Sequence, residues 1–226
     1  MQKKEKQVSV LFMIFFTLFS ICLIGSNLFA VKPFEVGKVS FMGAIVLFPM
    51  SYIVNDVVVE VWGFRRARMM ILWAFAFNFF IVVIGGLVDV LPGASWWEGT
   101  SESAGFHAVF GLAPRVAIAS FLAFLVGSFV NAAVMSRIKV RQHGRHFIVR
   151  AVASSLLGEF CDSMIFFPIA LAGVVIPWSE MPRFVLWQVG LKTGYEVIIM
   201  PLTIQVVKSV KKCEGVDTYD NDIWQK

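Results

Sequence analysis

The chain has 226 residues, 58% hydrophobic and only 15% charged, with 23 Phe, 7 Trp and a formal net charge of +5. A soluble domain carries about a quarter charged residues, so this composition, with a mean hydropathy of +0.77, excludes that class and points to an integral membrane protein. The positive residues sit in short patches between apolar runs, which excludes a nucleic-acid surface, and Cys22, Cys161 and Cys213 form no disulfide framework or metal-ligand spacing.

The N-terminal MQKKEKQ leads into an uncharged run over 8–31. A signal peptide has a shorter apolar core and a small-residue cleavage site, so this run is expected as a first spanning helix. Roughly 20 mostly apolar residues cross a bilayer, and six segments qualify: 8–31, 39–61, 69–91, 115–136, 150–176 and 183–207. The first, third and fourth are clean, whereas the second, fifth and sixth carry ionisable residues well inside their ends. No polar linker divides the runs. The expected fold is an all-α bundle of six transmembrane helices in one domain over 1–212, with a polar cytoplasmic tail over 213–226.

Lys and Arg set the orientation. Lys3, Lys4 and Lys6, then Arg65, Arg66 and Arg68, then Arg137, Lys139, Arg141, Arg145 and Arg150, and finally Lys208, Lys211, Lys212 and Lys226 fall on alternate ends. The opposite ends hold Lys32, Lys38 and Arg183 with acidic Asp89, Glu98 and Glu102. Both termini are therefore expected in the cytoplasm. The longest external connection, 92–114, carries Trp96 and Trp97, expected as interfacial anchors, with a lid as the competing reading. His107 is expected at the surface or interface, and no His or Cys stands at ligand spacing, so neither a metal nor a cofactor is expected. Three helices per half make the halves enter from opposite sides, as in inverted-repeat transporters. The middle helix of each half carries a Pro (Pro49, Pro168) and a carboxylate pair.

An ionisable group inside a bilayer faces a cavity or a partner. Phe48, Tyr52, Asp56 and Glu60 recur every fourth residue and share a face of the second helix. Ser155, Glu159, Asp162 and Phe166 do the same on the fifth, and Gln188, Lys192 and Glu196 on the sixth. At about 1.5 Å per residue, Glu159, Asp162, Lys192 and Glu196 lie near mid-membrane, and Asp56 and Glu60 nearer the cytoplasm. The embedded carboxylates (Asp56, Glu60, Glu159, Asp162, Glu196) outnumber the embedded cations (Arg115, Lys192), so the excess acid should either take up protons or attract a cation or a ligand rich in N–H donors. Blander readings stand beside this one. Lys192 and Glu196 at i, i+4 would neutralise each other, Arg115 at a helix end would snorkel to the interface, and Glu60 would pair with Arg65 and Arg66. Asn78 and Asn131 are expected to bond between helices.

The stretches "FPMSYIVNDVVVEVWGFRRAR", "PRVAIASFLAFLVGS", "ASSLLGEFCDSMIFFPIA" and "LKTGYEVIIMPLT" closely resemble the queuosine precursor transporter family, also called the vitamin uptake transporter family. The similarity runs from about Ser26 to Gln205. It is carried in combination by Asn55-Asp56 with Glu60 and Gly63, by Arg115 with Ala119-Ser120, by Asp162 after Ala153-Ser154, and by Lys192 before Tyr195, Glu196 and Pro201.

The resemblance implies a multi-pass importer in the bacterial inner membrane carrying deazapurines for tRNA modification: 7-cyano-7-deazaguanine, its 7-aminomethyl relative, queuine or queuosine. A deazaguanine presents adjacent N–H donors that a carboxylate accepts, acceptors for Arg, Lys, Asn or Gln, and a flat face for stacking. Asp162 and Glu159 are expected on the guanine edge, with Arg115, Lys192, Asn55 or Gln188 as donors and Tyr52 and Phe166 as walls. Asp56, Ser155 and Glu196 complete the expected substrate-binding set, and Glu60 and Arg65 form a gate or rim. The expected partners are this small molecule and membrane lipid, with no nucleic acid and a homo-oligomer allowed. The alternative functions are a substrate-binding membrane subunit served by a separate ATPase, since the chain has no P-loop, and an intramembrane hydrolase with an Asp56–Asp162 dyad. The second lacks a nucleophile motif.

Overall fold

The computed structural model describes residues 9–37, 39–141 and 147–215, so the tail expected over 213–226 falls largely outside the described residues. Six helices dominate it: α1 (Val10–Phe29), α2 (Phe48–Trp62), α3 (Phe64–Val90), α4 (Ser101–Arg141), α5 (Phe147–Leu171) and α6 (Met181–Glu214). Ser9 caps α1 by accepting the Phe12 amide at 3.2 Å, which satisfies one of the orphan donors of a helix start. Between α2 and α3 stands only Gly63, at φ 86, a conformation that a residue with a Cβ rarely adopts.

The second expected span departs from a simple helix. Residues 39–42 are strand β2 (Val39–Met42), paired antiparallel with β1 (Pro33–Val36) across a turn that begins at Gly37 with φ 67. A 3₁₀ turn over Gly43–Val46 follows, and α2 starts only at Phe48 with Pro49 in its first turn, where a missing N–H costs nothing. With 15 residues α2 is about 22 Å long, short of the roughly 30 Å hydrocarbon core. The fourth helix departs in the other direction. Thr100 accepts the Ser103 amide at 3.2 Å and starts α4 at Ser101, so the connection expected over 92–114 shrinks to 91–100 and Pro114 lies within the helix.

Among the described residues, four helical segments are long and apolar enough to cross a membrane: Val10–Phe29, Arg65–Val90, Ser101–Asn131 and Val152–Leu171. On α3, Trp73, Phe77, Phe80, Ile84 and Leu87 recur at helical spacing and are all exposed. An outward apolar stripe of that length is a liability in water and a lipid face in a bilayer. The chain is thus a mostly helical, multi-pass membrane protein.

The helix ends sort into two groups. At one, Ser9 donates to Glu214 at 2.6 Å, Lys211 meets Glu60 at 2.6 Å, and Arg66 lies 5.9 Å from the Phe12 ring centroid. At the other, His107 at the exposed start of α4 meets Asp89 of α3 at 2.7 Å. A core of Phe12, Trp62, Met70 and Phe75 joins α1, α2 and α3. A second, with Met42, Phe167, Leu171 and Phe184, joins the hairpin to α5 and α6.

Helices α4 and α5 cross at Gly127 and Gly158. A Cβ on Gly127 would stand 3.0 Å from Asp162 Cβ and from the Gly158 carbonyl oxygen, and one on Gly158 would stand 2.9 Å from the Gly127 carbonyl oxygen. Small residues that let two backbones meet are the usual device for packing helices in lipid. Here they also set the position of Asp162.

Candidate functional site

The three polar stripes read from the sequence converge on one cavity of about 140 Å³. Asn55 and Asp56 reach it from α2, Ser155, Glu159, Asp162 and Phe166 from α5, and Gln188, Lys192 and Glu196 from α6. Phe48 lines it at the start of α2, and Met42, Ala44 and Ile45 line it from the non-helical run before α2. Irregular backbone inside a membrane is tolerated where it borders a cavity, and this run borders one.

Lys192 is the electrostatic centre. Its Nζ lies 3.0 Å from Asp162 Oδ2 and 3.2 Å from Glu159 Oε2, and 4.2 Å from the centroid of the Phe48 ring. It therefore turns to α5 and leaves its own-helix neighbour Glu196, contrary to the i, i+4 reading. Glu196 instead accepts a hydrogen bond from Ser155 at 2.7 Å. Among the described lining residues, Asp56, Glu159, Asp162 and Glu196 face a single cation, Lys192. Such a lining favours ligands that bring N–H donors or positive charge. Gln188, nearly fully buried, reaches the Ser40 carbonyl of β2 at 3.4 Å and ties α6 to the hairpin at the edge of the cavity.

Several expected residues stand elsewhere. Arg115 does not line the cavity. Its guanidinium donates to the Ile169 and Ala172 carbonyls, the latter at 3.0 Å, and so satisfies the C-terminal end of α5, where helix carbonyls lack intrahelical partners. Glu60 pairs with Lys211 of α6, where a pairing with Arg65 or Arg66 is expected from the sequence, and Arg65 is exposed. Tyr52 lies in α2, but its side chain falls outside the described residues.

The structure also adds residues. On α4, Ser120, Phe124, Ser128 and Asn131 line the cavity, so Asn131 has a face toward the site, whereas the sequence suggests only a bond between helices. On α1, Phe19, Leu23, Ser26 and Asn27 do the same. Their i, i+4, i+7, i+8 spacing is visible in the sequence, but without a charge nothing in it distinguishes a cavity face from a packing face. The Asn55 Oδ1, Ser26 Oγ and Asn27 Nδ2 atoms are buried with no hydrogen-bond partner among the described residues. Among those residues no group of three or more His, Cys, Asp or Glu is placed to hold a metal ion.

Residues 42–206 match the family described as "Putative vitamin uptake transporter". The "Probable queuosine precursor transporter" of Haemophilus influenzae is 28% identical over 180 residues, which cover 74% of this chain and 72% of that protein. The "Queuosine precursor transporter" of Escherichia coli strain K12 is 27% identical over 124 residues, covering 54% of this chain and 52% of that protein. No solved structure matches the chain.

Proposed function

Because the chain belongs to the vitamin uptake transporter family, a family of transporters and not of enzymes, we propose that it imports 7-deazaguanine precursors of queuosine across the bacterial inner membrane. The two relatives named as queuosine precursor transporters support the substrate class. The single observation that carries the site is Lys192 held between Asp162 and Glu159 at the wall of the cavity.

The chemistry follows from that cluster. Two carboxylates buried side by side repel each other, and a lysine between them offsets that repulsion and part of the cost of burying the cluster. Carboxylate oxygens accept hydrogen bonds, so the pair suits the ring N–H and the 2-amino group of a deazaguanine side by side. Gln188, Lys192 and Asn55 supply polar contacts to its remaining edge, and Phe48 and Phe166 flank its flat face. Asp56 and Glu196 complete the acidic lining. A 7-aminomethyl ammonium, in the precursor that carries one, would find acceptors in that lining.

The architecture suits alternating access. Six spans with both termini in the cytoplasm and two inverted halves of three helices make α2 and α5 the middle elements. One is a short helix preceded by a hairpin and a 3₁₀ turn, the other a continuous helix with Pro168 in its last turn. A non-helical approach and a helix-interior proline around a polar site are compatible with the inverted-repeat build, whose middle helices are often interrupted. Glu60, Lys211, Ser9 and Glu214 then form the cytoplasmic rim.

Purified protein in liposomes should accumulate labelled 7-cyano- or 7-aminomethyl-7-deazaguanine without any ATPase, and Asp162→Asn with Glu159→Gln should abolish it. Normal uptake by the double variant would remove the carboxylates from the mechanism. Uptake that appears only when a separate ATPase is added would make the chain a binding subunit.

A further inference from the structure

The first helix reads in the sequence as a plain apolar span, yet it places two polar side chains against the central cavity. Ser26 and Asn27 line it at 3% and 8% exposure, and the Ser26 hydroxyl and the Asn27 Nδ2 have no partner among the described residues. Nearly all buried polar groups in native proteins are paired with protein or ordered water, so an orphan beside a cavity calls for a partner there, which a ligand atom can supply. A serine hydroxyl has another outlet, since it can rotate onto the carbonyl one turn back. The amide is wider, carries both donors and an acceptor, and projects further. Both residues precede position 42, where the family match begins, so this contribution lies outside the matched segment.

Packing fixes where the amide stands relative to the acids. Helix α1 packs on α2, α3 and α4, whereas α5, with Glu159 and Asp162, packs on α4 and α6. The carboxylates and Asn27 thus belong to different walls of one cavity. A 7-deazaguanine is flat and elongated, with its 2-amino group and ring N–H at one end and the position-7 substituent at the other. When the donor end sits on the α5 carboxylates, the substituent is directed to a different wall. Resting on the reading of the cavity as a 7-deazaguanine site, we propose that Asn27 reads the position-7 substituent. Its Nδ2 donates to a nitrile nitrogen, and the amide turned over offers Oδ1 to an ammonium.

The test is binding calorimetry on the full-length protein in lipid nanodiscs with three probes: 7-deazaguanine, its 7-cyano and its 7-aminomethyl derivatives. Asn27→Leu, close in size but apolar, should lower the ratio of cyano to unsubstituted affinity about tenfold, the worth of one hydrogen bond. Asn27→Asp keeps the shape, adds a charge, and should move the aminomethyl-to-cyano ratio about tenfold toward the cation. If Asn27→Leu does not insert as folded protein, Asn27→Asp decides alone. An equal loss for all three probes overturns the inference and leaves the 7-deazaguanine reading standing. Wild-type protein that binds none of the three overturns both.

Discussion

Two lysines of α6 each meet carboxylates from another helix, and the pair with the shorter distance is the weaker one. Lys211 lies 2.6 Å from Glu60, with side chains 24% and 60% exposed. Lys192 lies 3.0 and 3.2 Å from Asp162 and Glu159, with side chains 10%, 12% and 6% exposed. An exposed pair competes with water and contributes about 0–1 kcal/mol. Removing one partner of a buried cluster strands an uncompensated charge and costs about 3–5 kcal/mol. Environment outranks distance. A buried cluster of this kind is also poor evidence of selection for stability, since apolar residues of similar volume would often serve as well. Its position at the wall of the cavity fits the proposed ligand contact better than a stabilising role.

Substitutions that break each pair sharpen this contrast. The largest effect is expected for Lys192→Met, which should lower stability by about 3–5 kcal/mol and abolish uptake, read by thermal unfolding in detergent and by liposome flux. Adding Asp162→Asn to it should restore part of the stability and none of the transport. A double variant no more stable than Lys192→Met would mean that the two residues are not coupled. Next comes Gly127→Ala, whose new Cβ meets Asp162 Cβ and the Gly158 carbonyl oxygen at 3.0 Å. A cost of about 1–3 kcal/mol with weaker deazaguanine binding is expected, because the crossing sets the place of Asp162. Arg115→Met should cost a similar amount, about 1–3 kcal/mol, by stranding carbonyls at the end of α5, but with ligand affinity retained. A large loss of affinity there would return Arg115 to the site. The smallest effect belongs to Lys211→Met, about 0–1 kcal/mol. It should shrink further in high salt, and a salt-independent loss would contradict its description as a solvated rim pair.

The same contrast explains what the sequence made legible. A carboxylate inside an apolar run has few physical excuses, so Asp56, Glu159, Asp162, Lys192 and Glu196 stood out, and their spacing placed them on the faces that converge on the cavity. Uncharged groups carry no such signal. Ser26, Asn27 and Asn131 are common in helices, and only the three-dimensional packing tells a cavity wall from a helix contact. Arg115 was legible as a charge near a helix end, but its partners Ile169 and Ala172 are more than 50 positions away in the chain. The hairpin of β1 and β2 escaped for a different reason: hydropathy reports the solvent a segment prefers and says nothing about its backbone. Val39 to Leu47 is apolar enough for a helix, while the turn at Gly37 and the proline at position 49 leave room for pairing first. Glu60 chose Lys211 over Arg65 because α6 runs on to Glu214, beyond the end that a hydropathy window assigns.

The length of α4 has a mechanical meaning. Its 41 residues make a rod of about 60 Å, roughly twice the hydrocarbon thickness, and at Gly127 this rod touches the backbone of α5 with nothing interposed. A rod so long can act as a lever: a tilt of about 10° about Gly127 would swing the Ser101 tip, about 39 Å away, through about 7 Å and the Arg141 tip, about 21 Å away, through about 4 Å. Any rocking at the glycine crossing beside Asp162 would therefore be larger at the tips of α4, where spectroscopic probes would register it.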